Sequence, residues 1–192
     1  MRLLTPLALG AVLCAGATLA NGDLPGDPVS GKRLAGQCRT CHGIDGYAKI
    51  PVAPHIGGET AGYITRQLTA FRGGTRVNEM MSVVAAGLTD PQIADLAAWY
   101  ASQQATATLL AEAAAAPPLC VTCHGADGIG RTGDVPNLAG ESNIYIDTQL
   151  KAFRSGKRVH EVMTTIAADL SDDEIRAAAD WYAAVRLTIT PP

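Results

Sequence analysis

The sequence predicts an all-α protein that contains two similar helical domains in tandem. The first observation is an internal repeat: when Cys38 is aligned with Cys120, 31 of the 64 positions in 38–101 are identical to those in 120–183. The second is that signals for helix starts recur at the same place in both copies. The third is that no stretch shows the alternation of apolar and polar residues that is typical of strands. A repeat of this length indicates two domains rather than a solenoid.

The first segment, MRLLTPLALGAVLCAGATLANG, has the features of a secretory signal peptide. Arg2 supplies a positive start, residues 3–19 are apolar and almost uncharged, and small residues follow. A retained membrane anchor is the weaker alternative, because Pro6 and the small residues make the span short and only mildly hydrophobic. We therefore expect residues 1–20 to be a cleaved signal peptide and the mature protein to be exported to the periplasm.

The last helix of each copy has the clearest start signal. In LTDPQIADLAAWYA, Thr89 and Gln92 have the spacing of a capping box, in which each side chain accepts the other residue's backbone N–H. Ser171 and Glu174 repeat the device in LSDDEIRAAADWYA. The apolar positions that follow in the first copy (93, 96, 97 and 100) lie on one helical face.

The other elements follow from caps, glycines and prolines. Asp27 followed by Pro28 is typical of a helix start, and GYITRQLTAFRGG and NIYIDTQLKAFRSG are predicted to be helices that end at glycines. The segment between the copies, SQQATATLLAEAAAAPP, is rich in alanine, and its two prolines should end a helix early. The predicted organisation is therefore domain 1 at 21–102, a linker with the first helix of the second copy at 103–117, and domain 2 at 118–192.

Composition excludes some partners and suggests a cofactor. Without residues 1–20 the chain has 14 Lys and Arg against 18 Asp and Glu and no basic run, which argues against nucleic acid. Residues 21–101 hold seven acidic and seven basic side chains, whereas residues 120–192 hold ten and seven, so we expect partners to approach the two ends differently. The alternative is a generally solvated acidic surface. Aromatic residues make up only 5% of the chain, so each copy has little bulk for a core of its own. A large flat cofactor would supply that bulk.

Each copy contains C-x-x-C-H-G, as CRTCHG at 38–43 and CVTCHG at 120–125. C-x-x-C-H is the attachment signature of c-type haem, in which two thiols add to the vinyl groups of one porphyrin and the imidazole binds the iron. A disulfide explains the cysteines but not the histidine after both pairs, a thioredoxin-like motif needs a βαβ pattern, and zinc needs a fourth ligand. We therefore predict two covalently attached haems, held by the four thiols and two imidazoles of Cys38, Cys41, His42, Cys120, Cys123 and His124.

The sixth iron ligand is predicted to be methionine. Met81 and Met163 occupy equivalent positions, at the same distance in sequence beyond His42 and His124, and both are expected in the loop before the last helix. Met80 is interpreted as a packing residue because its position in the second copy holds valine. His55 and His160 are rival ligands, but neither position holds a histidine in the other copy.

Ligation by His and Met would fill both axial positions of each iron. A thioether favours ferrous iron, so such a centre has a higher potential than one with two histidines, and it moves electrons without binding a small molecule. The carbonyls of Pro54 and Pro136 are candidates to accept the hydrogen bond of the axial histidine Nδ1–H. The alternative for both prolines is a loop turn, and the spacing does not choose between the two.

These residues resemble a known family. Each half looks like a class I cytochrome c, and the tandem arrangement is similar to the dihaem cytochrome c4 family of bacterial periplasmic electron carriers. The resemblance rests on the two C-x-x-C-H-G motifs, on VPNLAGES and its weaker partner APHIGGET, and on MTTIAADLSDDEI and MSVVAAGLTDPQI. It implies two tandem class I cytochrome c domains, each wrapped around one haem, with iron ligands His42 and Met81 in the first and His124 and Met163 in the second.

The resemblance implies an electron carrier rather than an enzyme. Its partners would be redox proteins, such as a quinol-oxidising complex and a terminal oxidase, and it would associate peripherally with such membrane complexes. The alternative is the dihaem electron-accepting subunit of a dehydrogenase flavoprotein, as in flavocytochrome c sulfide dehydrogenases. A third interpretation, a dihaem peroxidase, would need an iron with an open axial position.

Overall fold

The structure is a computed structural model that describes residues 26–133 and 135–192. The predicted signal peptide lies outside these residues. Helices dominate both copies of the repeat, as the sequence predicts. The N-terminal copy holds α1 (Pro28–Leu34), α2 (Arg39–His42), α3 (Ala61–Arg72), α4 (Glu79–Ala86) and α5 (Asp90–Ala101), with a 3₁₀ turn at Ala35–Gln37. The C-terminal copy holds α6 (Pro118–His124), α7 (Asn143–Arg154), α8 (Glu161–Ala168) and α9 (Asp172–Ala183), preceded by a 3₁₀ turn at Ala113–Ala115.

The predicted helix starts are present. Asp27 accepts the backbone N–H groups of Val29 and Ser30 at the start of α1. Both capping boxes form, between Thr89 and Gln92 on α5 and between their equivalents on α9. These caps satisfy N–H groups that have no partner inside the helix, so each helix begins at a defined residue.

Each domain has its own small core, and the last helix of the domain is central to it. In the first domain, α1 and α3 pack against α5, and the buried residues include Ile64, Ile93, Leu96 and Tyr100. In the second domain, α7 packs against α9. The buried residues of this core include Ile146, Leu150, Ile175, Ala178 and Tyr182. Within the described part of the chain, no helix corresponding to α1 precedes the second core.

One pair of strands departs from the all-α prediction. Strand β1 (Gln104–Thr108) pairs antiparallel with β2 (Arg186–Thr190), and Thr106 lies opposite Thr188. The two strands occupy the same place in the repeat, in the alignment that matches Cys38 with Cys120, so the pairing is symmetric about its centre. The sequence did not predict it because each strand is short and its partner lies in the other copy.

The predicted helix in the linker does not form. Residues 104–108 are extended, 113–115 make a single 3₁₀ turn, and α6 begins only at Pro118. The alanine-rich composition favours helix, but the backbone hydrogen bonds to β2 favour a strand at 104–108, and Pro117 and Pro118 disfavour the helical conformation in the residues just before them. The boundaries 21–102, 103–117 and 118–192 stay predictions.

The two domains contact each other through a hydrogen-bonded network with matched halves. Arg76 donates to Tyr145 and Gln149 of the second domain at 3.3 and 2.9 Å. Arg158 donates to the corresponding residues of the first domain, Tyr63 and Gln67, both at 3.2 Å. Each guanidinium also lies over the phenylalanine of its own domain, Phe71 or Phe153, at 4.5 Å from the ring centre.

Among the helices of residues 26–133 and 135–192, none is both long enough and apolar enough to span a bilayer.

Candidate haem sites

The histidines of the two C-x-x-C-H motifs are buried and hold the same hydrogen bond. His42 and His124 are 8% and 7% exposed, and their Nδ1 atoms lie 2.9 Å from the carbonyl oxygens of Pro54 and Pro136. Because a carbonyl can only accept, Nδ1 must carry the proton and Nε2 keeps its lone pair. Burial lowers the pKa of both histidines, and the carbonyls oppose this effect only in part. Each imidazole is therefore neutral at neutral pH and can bind a metal through Nε2.

The cysteines lie close to these histidines in sequence: Cys38 is the N-cap of α2, and the other three lie within α2 or α6. The N–H of His42 donates to the Cys38 carbonyl at 3.0 Å, so this thiol and the imidazole are one helical turn apart. Cys38 packs against the first core and Cys120 against the second, and burial raises the pKa of both thiols. All four cysteines of the described chain are free and half-buried, so the disulfides that the sequence allowed are not formed among them.

A glycine follows each histidine, where the backbone turns sharply away. Gly43 and Gly125 have φ of 73° and 71°, in the region that side chains with a Cβ avoid. Their carbonyls accept the hydroxyl hydrogens of Tyr100 at 3.5 Å and Tyr182 at 3.0 Å, from the last helix of each domain. The end of the motif is thereby fixed to the core in both copies.

Met81 and Met163 lie in helices rather than in loops, which corrects the sequence prediction. Both are in the first turn of a short helix, α4 or α8, and both are half-buried. Met163 packs against the same core as Cys120. The preceding segment contains a glycine and charged residues and does not show an apolar period, which is why the sequence suggested a loop. Met80 is 63% exposed.

Both rival histidines already use ring nitrogens in hydrogen bonds. His55 Nδ1 accepts the N–H of Ala48 at 2.9 Å, so Nε2 carries the proton that it donates to the Gly140 carbonyl at 3.0 Å. His160 is the N-cap of α8: its Nδ1 accepts the N–H groups of Val162 and Met163, both at 3.3 Å. Asn at the equivalent position caps α4 in the same way. The Asn-to-His difference between the copies is thus explained by capping.

Two buried glutamates were missed by the sequence analysis. Glu59 and Glu141 are 5% and 3% exposed and occupy equivalent positions in the two copies. Burial raises the pKa of Glu59 to about 8 and that of Glu141 well above its usual value, and the charge of Glu59 contributes to the second shift. The available signal was a matched acidic residue within the otherwise apolar or small residues of IGGET and LAGES.

The donor set of each domain fits a c-type haem. Such a haem needs two unbonded thiols, a neutral imidazole with a free Nε2 and a further axial ligand such as a thioether. Each domain has these groups, and its thioether lies on α4 or α8. Large apolar side chains remain exposed in both domains. They include Ile44, Ile50 and Val77 in the first domain and Leu119, Ile144 and Val159 in the second.

Two tandem helical domains with these matched sites define a c-type cytochrome with two haem domains. A cytochrome c4 of Pseudomonas aeruginosa is 32% identical over 175 residues, which cover 81% of this chain and 87% of that protein. The chain belongs to the dihaem cytochrome c4 family. It binds two c-type haems and is an electron-transfer protein.

Other comparisons agree with this membership. A thiosulfate dehydrogenase electron acceptor of Stutzerimonas stutzeri is 36% identical over 169 residues, which cover 77% of this chain and 78% of that protein. The crystal structure of reduced recombinant cytochrome c4 from Pseudomonas stutzeri has a TM-score of 0.74 and 27% identity, and the match covers 84% of this chain and all of that one. Residues 106–181 match the family model described as cytochrome c oxidase, cbb3-type, subunit III.

Proposed function

We propose that the protein is a periplasmic carrier of single electrons between redox complexes, with both haems ligated by histidine and methionine. His42 and Met81 would bind one iron and His124 and Met163 the other. Thioether bonds to Cys38 and Cys41, and to their equivalents Cys120 and Cys123, would hold the porphyrins. Residues 1–20 would be removed on export.

The observation that carries the proposal is the matched bond between histidine Nδ1 and proline carbonyl, 2.9 Å long in both domains. It fixes the tautomer that a metal-binding imidazole needs, and it increases the basicity of Nε2. The prolines would thus act on a bound iron through the histidines. A haem iron supplies one-electron chemistry by alternating between its ferric and ferrous states.

Three features of the chain support methionine rather than histidine as the sixth ligand. Met81 and Met163 lie in the first turn of equivalent short helices, so their main chains are held by caps. Both nitrogens of His55 are engaged, and His160 is used as a cap. A sulfur on one side and an imidazole on the other would leave no position for peroxide, which would distinguish a carrier from a dihaem peroxidase.

The ligand assignment is tested by Met81→Ala and Met163→Ala, with Met80→Ala as the matched control. Each of the first two changes should abolish the near-infrared methionine–iron band of one haem and lower the potential of that haem, because a soft neutral ligand that favours ferrous iron is lost. Met80→Ala should leave both haems unchanged. Wild-type spectra and potentials in both test variants would contradict the assignment.

A second candidate function is favoured by the similarity to the thiosulfate dehydrogenase electron acceptor. Here the protein would be the dedicated acceptor or subunit of a dehydrogenase. Purification from the native host separates the two functions. A free carrier elutes alone and is reduced and oxidised by several partners, whereas a subunit co-elutes with its dehydrogenase and loses its rate of reduction when that enzyme is removed.

A further inference from the structure

One peptide group connects the histidine of the second domain to a carboxyl group of the first. The carbonyl of Pro136 accepts from His124 Nδ1 at 2.9 Å. The N–H at the other end of the same peptide group belongs to Asn137, and it donates to Glu59 Oε1 at 2.9 Å. The path from imidazole to carboxyl group therefore consists of two hydrogen bonds and a single planar amide, and it crosses the domain boundary.

A related arrangement occurs in the opposite direction. The carbonyl of Pro54 accepts from His42 Nδ1 at 2.9 Å, and the backbone N–H of the next residue, His55, lies close enough to the Glu141 carboxyl group to favour its ionised form. Each domain thus contributes the carboxyl group that lies behind the histidine of the other domain. Because the two paths are related by the repeat, they form a matched pair for experiment.

Both carboxyl groups lie in an interior where charge has a strong effect. Glu59 and Glu141 are almost fully buried, and in the described chain Glu141 Oε2 has no hydrogen-bond partner. The charge of Glu59 raises the cost of ionising Glu141, because like charges repel at low dielectric. Glu59 also acts on the phenol of Tyr63. The other titratable or charged groups around this interior are the His55 ring, Tyr145, Arg76 and Arg158.

A carboxylate that accepts the N–H of a peptide group increases the hydrogen-bond acceptor strength of the carbonyl in the same group. Hydrogen bonds in a chain polarise one another, so a negative acceptor makes the carbonyl oxygen more negative and a stronger acceptor. That oxygen then draws more strongly on the Nδ1 proton, and the imidazole becomes a better donor to a metal at Nε2. A more basic ligand stabilises the ferric state. A protonated or amide side chain in place of the carboxylate has less of this effect.

We propose that Glu59 and Glu141 are positioning residues that each tune the haem potential of the opposite domain, Glu59 through His124 and Glu141 through His42. This inference rests on the proposed histidine ligands and is independent of the methionines. The carboxylate form of each glutamate lowers the potential of the haem across the boundary. Its neutral form raises that potential.

The experiment measures the potential of each haem separately as a function of pH in the complete dihaem protein. NMR signals of each porphyrin, assigned by contacts with its own domain, are followed through redox titrations. In the wild type, the potential on the His124 side should fall as pH rises through about 8, where Glu59 ionises. In Glu59→Gln this step is lost, and above that pH the reduction equilibrium on the His124 side shifts up to about tenfold towards ferrous, or about 59 mV.

Glu141→Gln should produce the mirror result, with the larger change on the His42 side. Glutamine has nearly the same shape and can still accept the backbone N–H, so the fold should be retained. Glu112→Gln and Asp173→Asn, at exposed positions of the linker and of α9, remove the same charge outside the two paths. Both should leave the potentials and their pH profiles unchanged, because solvent screens exposed charges.

A second measurement tests the hydrogen-bonded path from Glu59 to His124 directly. The ¹⁵N and proton signals of the axial Nδ1–H report its hydrogen bond, so Glu59→Gln should shift the signal of His124 and leave that of His42 in place. The proposal is overturned if Glu59→Gln moves the potential on the His42 side as much as on the His124 side, if it moves neither at any pH, or if the His124 signal stays constant. An error in the methionine assignment appears instead in the spectra of the Met81 and Met163 variants.

Discussion

Replacing Gly58 by alanine tests how the linker strand packs on the first domain. Gly58 has φ of 79°, and a Cβ built there would lie 2.4 Å from the Cβ of Ala105 in strand β1. Ala105 cannot retreat easily, because it is paired with Ile189 of β2. The left-handed backbone costs about 1–2 kcal/mol for a residue with a Cβ, and the overlap costs about 1–3 kcal/mol more.

Gly74→Ala is the matched control. Gly74 has φ of 76°, nearly the same as Gly58, but nothing lies within 4 Å of its added Cβ. Gly58→Ala should therefore lose about 1–3 kcal/mol more of unfolding free energy than Gly74→Ala. The assay is guanidinium unfolding of the haem-loaded proteins followed by far-ultraviolet circular dichroism. Equal losses in the two variants would refute the described packing of β1 over the loop at Gly58.

Three further changes have expected outcomes. Burial raises the pKa of Glu59 to about 8, so between about pH 4.5 and 8 this group ionises in the unfolded chain but not in the folded one. The wild type should therefore lose unfolding free energy as the pH rises through this range. Denaturant unfolding at several pH values should show a smaller loss in Glu59→Gln. Ser171→Ala removes the N-cap of α9 and should cost about 1 kcal/mol in the same denaturation, whereas Ser171→Asp should retain most of it. Arg158→Leu removes the hydrogen bonds to Tyr63 and Gln67 and should slow electron exchange between the haems, as measured by flash photolysis; an unchanged rate would show that this network does not hold the domains in their working arrangement.

The local signals in the sequence predicted most helices well. The capping boxes at Thr89 and Ser171 are short-range devices, so they work wherever the chain places them. Asp27 at the start of α1 belongs to the same class. The hydrogen bond from histidine Nδ1 to the proline carbonyl, proposed from the sequence, is present in both copies. The metal-ligand roles of these histidines remain predictions.

What the sequence did not predict depends on contacts between the copies. The strand at 104–108 forms because its partner lies in the other copy, at 186–190, and no local pattern reveals that partner. Glu59 and Glu141 looked like ordinary acidic residues, because no local pattern reveals that they are buried or that Glu59 accepts a hydrogen bond from Asn137 of the other domain. Met81 was expected in a loop because its helix is too short to show an apolar period.

The register of the two strands has an evolutionary consequence. Thr106 lies opposite Thr188, the residue at the same position of the other copy. Both copies therefore contribute the same strand edge to the pairing. Such self-complementarity is the property of an isologous interface, which two identical subunits can form about a dyad. A one-domain ancestor with this strand would already have been able to make a homodimer, and gene fusion would then have converted a concentration-dependent assembly into a permanent one.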